Sequence, residues 1–281
     1  MNAASDFGKV HALVGDMGLH TVCKSAKCPN MHECWGHGTA TLMLLGNECT
    51  RACRFCAIPA GRPKHLDPDE PRRVAEAAQK MNLSHVVLTS VARDDLPDGG
   101  SGIFAETIIA IRSRLPSASV EVLTPDFQGN RVQLNTVLAA RPDVFNHNLE
   151  TVKRLQAAIR PQASYGRSLA VLRAAAESEN PPAVKSGLMV GLGETDEELI
   201  EAIHDLHAAG VRLLTVGQYL QPTRAHRPVS RYVTPEQFAE YDRQARAIGF
   251  HGVASGPMVR SSYKAEELLQ AAREATLSTT T

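Results

Sequence analysis

Short apolar runs alternate along this chain with longer stretches whose apolar residues recur every three or four positions. Thr41–Leu45, His85–Val91, Ser119–Leu123, Asp143–Asn146, Val184–Val190 and Leu213–Tyr219 carry the β-type pattern, bounded by polar or turn-forming residues. The stretches between them carry helical spacing and start signals. Asp67-Pro68-Asp69-Glu70 predicts a capping acid, Pro at the first helical position and Glu three residues after the cap, with Val74, Ala77, Ala78 and Met81 on one face. Thr195-Asp196-Glu197-Glu198 and Thr234-Pro235-Glu236-Gln237 both read as capping boxes. Ile103–Leu115, Arg131–Ala140, Tyr165–Glu177 and Lys264–Glu274 read as further helices. Val10, Leu13, Val14 and Met17 form one short helical face, and Leu277–Thr281 reads as a disordered tail.

Six strand–helix units in succession predict a parallel sheet with right-handed crossovers. They are too few to close a barrel of eight strands. The expected fold is therefore α/β, a partial (β/α)6 TIM-like barrel, with an open doubly wound sheet as the competing architecture. Residues 1–40 are expected to form an N-terminal extension, 41–255 the barrel, and 256–281 a C-terminal segment with a helix. Polar residues gather where the strands end: Thr89-Ser90 with Arg93-Asp94-Asp95, Thr124-Pro125-Asp126, Asn146-His147-Asn148 with Glu150, Gly193-Glu194, and Gln218 with Gln221 and Thr223. That end carries the active site in parallel α/β folds. Any one of these residues is as well explained as a helix cap; their recurrence points to a site.

Thirty basic residues balance thirty acidic ones, so no general attraction to nucleic acid or an anionic membrane is expected. No apolar run approaches the ~20 residues of a transmembrane helix. Met1–Asp6 is polar, no secretory apolar core follows, and the stretch before Cys23 is not rich in Arg, so the expected location is a reducing cytoplasm. That location changes the reading of the six cysteines, all between Cys23 and Cys56: they read as metal ligands rather than disulfides.

The cysteines form two triads. Cys49, Cys53 and Cys56, spaced C-x3-C-x2-C, directly follow the first strand; Cys23, Cys28 and Cys34 are spaced C-x4-C-x5-C. A structural zinc site wants four ligands in spaced pairs, which triads fit poorly unless His32 or His37 completes one. Three thiolates suit a cubane iron–sulfur cluster with one iron left for another ligand. Arg51 and Arg54 stand beside the first-strand triad, where cations favour thiolate.

The run C-x3-C-x-Phe-C just after a first strand resembles the signature of the radical S-adenosylmethionine (SAM) enzymes. The resemblance implies a [4Fe–4S] cluster on Cys49, Cys53 and Cys56 whose fourth iron is chelated by the amino and carboxylate groups of SAM. Reductive cleavage then yields methionine and a 5′-deoxyadenosyl radical. The partial barrel of that superfamily matches the six units. Gly187–Glu194 resembles its adenosine-contacting segment, with Met189 where Ile is more usual. Thr89, Ser90, Arg93, Asn148, Glu150 and Gln218, at strand ends near the cysteine loop, are expected to contact SAM.

The second triad narrows the resemblance to the lipoyl synthase family. The likeness runs from His20-Thr21-Val22-Cys23 through Ala26–Asn30 and Glu33-Cys34-Trp35, then Gly38–Thr41, Arg93–Leu96, Asp98-Gly99-Gly100 and Pro125–Gly129. It continues through His147–Thr151, Arg160–Tyr165, Gly217–Pro222 and Arg260-Ser261-Ser262-Tyr263. The resemblance implies an auxiliary [4Fe–4S] cluster on Cys23, Cys28 and Cys34, completed by Ser261 rather than Ser262, that serves as the sulfur donor. It implies sulfur insertion at C6 and then C8 of an octanoyl chain in amide linkage to a carrier lysine. Partners implied are octanoylated lipoyl carrier domains, as in 2-oxoacid dehydrogenase subunits and the glycine cleavage H protein, and a reductant such as flavodoxin or ferredoxin. No acid–base catalytic residue is expected. One departure is that only 22 residues precede Cys23, without the Pro-Glu-Trp-Leu-like stretch common in the family.

Overall fold

A computed structural model of the protein describes residues 17–25, 28 and 30–279; Val10, Leu13 and Val14 of the expected N-terminal face, and Thr280 and Thr281, lie outside them. One sheet of eight strands follows sequence order: β1 (His20–Thr21), β2 (Thr39–Leu44), β3 (His85–Ser90), β4 (Ser119–Leu123), β5 (Val144–Asn146), β6 (Ala183–Val190), β7 (Leu213–Gln218) and β8 (Gly252–Gly256). β1 is antiparallel to β2, and every later pair is parallel. β1 and β8 are the edges, so hydrogen bonding leaves the barrel open.

The helices are α1 (Val22–Ser25), α2 (Met31–Gly36), α3 (Glu70–Lys80), α4 (Ser101–Arg114), α5 (Arg131–Ala139), α6 (Gln156–Ile159), α7 (Tyr165–Ala176), α8 (Asp196–Ala208), α9 (Pro235–Ile248) and α10 (Ala265–Thr279). The six expected units are β2–α3, β3–α4, β4–α5, β5–α7, β6–α8 and β7–α9. Two strands were not expected. β1 has only two residues, and β8 reads Gly-Val-Ala-Ser-Gly, a composition poor in strand formers; its pairing with β7 from Leu213↔Gly252 to Gly217↔Gly256 makes it a strand. α10 runs on to Thr279, where a disordered tail was expected.

Start signals are partly realised. Thr195 and Glu198 form the full capping box on α8. Thr234 caps α9 through the Gln237 amide, without the return bond. The helix expected from Asp67 begins instead at Glu70; the Asp67 side chain accepts from Asp69 N at 2.9 Å, and the Glu70 carboxylate accepts from Leu45 N at 2.8 Å.

Sheet pairing puts Glu121, Val144, Asn146, Lys185, Leu213 and Ala254 on one face. The other face, including Val86, Leu88, Val120 and Val122, packs with α3, α4 and α5 in the main core. On the first face, Val144, Leu213 and Ala254 pack with Leu268, Leu269 and Ala272 of α10. Lys185 Nζ lies 3.0 Å from both Glu121 oxygens, and Asn146 donates to the same carboxylate. Burial works to raise the Glu121 carboxyl, but Lys185 and then His85 bring it down to about 2. Lys185→Met is expected to cost about 3–5 kcal/mol, because it strands a buried carboxylate; urea unfolding measures it.

Candidate functional site

The first cysteine triad lies in the loop that leaves the C-terminal end of β2. Cys49 is fixed by bonds from its N to Pro59 O at 2.9 Å and from Gly61 N to its O at 2.8 Å. Neighbouring loops grip the same segment. Thr50 N donates to Ala92 O beyond β3, Arg54 N to Ile159 O at the end of α6, and Arg227 N to Arg54 O from beyond β7. His226 Nε2 donates to Cys56 O at 2.9 Å. Two amides, Arg51 N and Ala92 N, point at Cys49 Sγ from 3.4 and 3.3 Å. Three thiols on one loop, with N–H groups directed onto a sulfur, are a donor set that fits an iron–sulfur cluster.

Burial dominates two of these thiols. It pushes Cys56 up to about 11 and raises Cys53, with Arg160 the leading cation opposing it. Of Arg51 and Arg54, expected in that role, Arg51 does act to lower Cys53, after Arg160, which was not singled out. The Arg51 guanidinium also binds Asp94 and Asp126.

The six expected SAM contacts divide into two sets. Thr89 Oγ1 donates to Leu123 O. Arg93 forks onto Asp95 and reaches His65 O. Gln218 Nε2 donates to Val190 O, Tyr219 O and Arg231 O, while its Oε1 accepts from Val233 N. These three side chains are committed to the frame. Ser90 Oγ and Asn148 Oδ1, by contrast, are buried polar atoms without a partner. Asn148 fits because residue 187 is Gly: a Cβ there would lie 2.8 Å from both Asn148 Oδ1 and Thr215 Oγ1. Glu150 sits at φ 70°, and its backbone bridges to β6 through Gly187 O and Met189 N. Burial raises its carboxyl, while Arg160 and the Asn148 side chain work to lower it. Glu150 and Arg160 both act on Cys53, so Asn148, Glu150 and Arg160 converge beside the triad.

His147, between these strand ends, is buried, bonded through Nδ1 to Thr124 O and through Nε2 to Ser168 Oγ. Burial, then Arg160, pushes its imidazole down to about 4. A base depressed in the folded state stabilises fully above its unfolded value near 6.5. That stability is lost as pH falls through 4, by about 3 kcal/mol for this group. His147→Gln is expected to flatten the stability–pH slope between 6.5 and 4 in urea titrations.

The second triad forms another site. Cys23 on α1, Cys28, and Cys34 on α2 share the wall of a small cavity of about 20 Å³ with Thr39 and Thr41 of β2, Arg260, Ser262 and Tyr263. Burial, then Cys23 and Cys28, pushes Cys34 up to about 12. Chain segments far apart in sequence close this cavity. Thr41 Oγ1 donates to Ser262 Oγ at 2.9 Å, Asn30 Nδ2 to Met258 O at 2.7 Å, and Tyr263 OH to Glu33 Oε1 at 3.2 Å. The approach requires Gly217 on β7, where a Cβ would lie 2.3 Å from Val259 O. The half-buried Arg260 cation acts on Cys28, a setting that suits anionic thiolate–iron ligation. Ser262 lines the cavity; Ser261 is not among its wall residues. Among the described residues, no three His, Cys, Asp or Glu side chains converge as a single-ion site.

The fold and the cysteine loop define a radical SAM protein: residues 43–206 match the Radical SAM superfamily. The fold is similar to the crystal structure of Streptococcus suis SuiB bound to precursor peptide SuiA, with a TM-score of 0.62 and 12% identity over 93% of this chain and 55% of that one. A lipoyl synthase of Rubrobacter xylanophilus is 57% identical over 93% of this chain and 81% of its own length. One of Thermus thermophilus is 56% identical over 92% and 80%. The chain belongs to the lipoyl synthase family, and its activity is lipoyl cofactor biosynthesis by radical SAM chemistry. A [4Fe–4S] cluster and SAM come with that class. Among the described residues no helix is long and apolar enough to cross a membrane.

Proposed function

We propose that the chain replaces one C–H bond at C6 and one at C8 of a protein-bound octanoyl chain with C–S bonds. The acceptor is an octanoyl-lysine on a lipoyl carrier domain, of the kind found in 2-oxoacid dehydrogenase subunits or the glycine cleavage H protein. The electron comes from a cytoplasmic reductant such as flavodoxin or ferredoxin. Cys49, Cys53 and Cys56 would hold the SAM-binding [4Fe–4S] cluster, and Cys23, Cys28 and Cys34 an auxiliary one. When bound, the first cluster with SAM supplies a radical able to take hydrogen from an unactivated carbon, and the second supplies sulfur.

The observation that carries this reading is the pairing of two cysteine sets on one strand. β2 contributes Thr39 and Thr41 to the wall of the second cavity, and its C-terminal end leads into the loop of the first triad. The chain's own residues position and enclose. Ser90, Asn148 and Glu150 would bind SAM directly, since two of them carry buried atoms without partners. Thr89, Arg93 and Gln218 hold the strand-end loops that face it. The fourth ligand of the auxiliary cluster would be a serine oxygen of the turn after β8. The family resemblance names Ser261; the place of Ser262 on the cavity wall favours Ser262 as a second reading.

Mass spectrometry of an octanoyl-lysyl carrier peptide tests the proposal, with anaerobically reconstituted protein, SAM and dithionite. Gain of two sulfurs through a singly thiolated intermediate is expected. 5′-Deoxyadenosine without any change in the peptide would contradict it. Ser261→Ala and Ser262→Ala separate the two ligand readings by iron content.

A further inference from the structure

Two motifs, Arg93–Leu96 and Pro125–Gly129, converge on one residue of the cysteine loop. Arg51 stands between Cys49 and Cys53 with its side chain only 5% exposed. Its Nε lies 2.6 Å from Asp94 Oδ2, and its Nη2 lies 2.7 Å from both Asp94 Oδ1 and Asp126 Oδ1. Thr50 adds a side-chain bond to Asp94 and accepts one from Asp94 N. The Asp126 side chain is fully buried. Its other oxygen takes Arg167 Nε of α7 at 2.7 Å, and Gln128 N donates to Oδ1 at 3.0 Å.

The turn that delivers Asp126 is strained. Phe127, Gln128 and Gly129 have successive φ values of 45°, 53° and 80°. Two of the three carry a Cβ, and such backbone persists only where its surroundings over-determine it. Phe127 is anchored by an edge-on contact with Phe104 at 6.4 Å. Strain held in place to aim one carboxylate is a sign of function rather than of packing alone.

We propose that Asp94 and Asp126 form a receptor for Arg51 that holds the cysteine loop in register on the barrel rim. Asp126 is thereby a positioning residue for the SAM-binding cluster, an inference that rests on Cys49, Cys53 and Cys56 as its ligands. Arg51, Arg167 and the two carboxylates sum to no net charge, so the receptor fixes the loop without adding net charge beside it. A fork of two N–H groups onto a carboxylate sets direction as well as distance. A lysine is a point charge and supplies no fork.

Arg51→Lys keeps the charge and loses the fork; Asp126→Asn keeps the shape and loses the charge. Wild type and both variants are reconstituted anaerobically and reduced, and their electron paramagnetic resonance spectra are compared before and after SAM. Hydrogen exchange of residues 49–56 is followed in the metal-free proteins. In both variants the SAM-responsive signal is expected to fall about tenfold, and exchange in the loop to rise about tenfold, while the second cluster's signal holds. An undiminished SAM-responsive signal in the variants overturns the proposal. Equal loss of both clusters overturns it too, since that marks a general folding defect. A wild type with no SAM-responsive signal removes instead the ligand assignment beneath it.

Discussion

Replacing Cys53 by Ala is expected to lower reductive cleavage of SAM at least about 1,000-fold and to reduce iron from about eight to about four per chain. Cys53 is the middle cysteine of its loop, and the residues between the cysteines, Thr50 to Ala52 with Arg54 and Phe55, offer no second soft donor. His226, an imidazole bonded to this loop, is committed to Cys56 O and Thr223 Oγ1. Nothing in the loop can therefore replace the lost sulfur. The fold should be spared, since the loop is fixed through backbone bonds at Cys49, Thr50 and Arg54 that the substitution does not touch. Chromatographic measurement of 5′-deoxyadenosine, with a colorimetric iron assay, checks both numbers. A variant that keeps cleavage within tenfold of wild type contradicts the assignment of this triad.

The opposite pattern is expected for Cys34→Ala. Cleavage of SAM should stay within about threefold of wild type while sulfur insertion falls at least about 1,000-fold. The separation follows from the architecture. Cys34 belongs to α2 and to the cavity closed by Arg260, Ser262 and Tyr263, whereas the first triad is gripped by loops after β3, β7 and α6. Sites without shared partners respond additively. In the proposed ligand set the change leaves two thiolates where there were three, beside the same hard serine oxygen, so the auxiliary cluster should be lost or labile. The comparison needs both products, deoxyadenosine and thiolated peptide, measured on the same sample. Equal loss of both would show that the two triads act as one site.

The strands that were legible in the sequence are those buried on both faces. His85–Ser90, Ser119–Leu123 and Leu213–Gln218 are nearly continuous in burial, and parallel strands covered on both sides must be apolar along most of their length. β8 was not legible because small residues and two glycines carry no such signal, and its place is set by pairing with β7. The cysteine sets were legible as sets because residue type and spacing recur together in a short stretch. Polar partners were not. Gln218 and Arg93 sit at the expected strand ends, yet their bonds go to backbone carbonyls and to an acid two residues away. Glu121 and Lys185 meet across 64 positions, and Thr41 and Ser262 across 221; no local pattern encodes such pairs. Arg160, the cation most strongly opposing the burial of Cys53, lay inside a recognisable run but carried no sign of its target.

The central claim is that the cavity of Cys23, Cys28 and Cys34 holds the sulfur that enters the product. It is tested most directly by reconstituting the protein with isotopically heavy sulfide, removing free sulfide, and allowing one turnover of an octanoyl-lysyl carrier peptide with SAM and reductant. Mass spectrometry of the peptide should find heavy sulfur at both new C–S bonds, and the Cys34→Ala protein should yield none. A peptide that acquires unlabelled sulfur, or one left unthiolated while deoxyadenosine accumulates, would contradict the account.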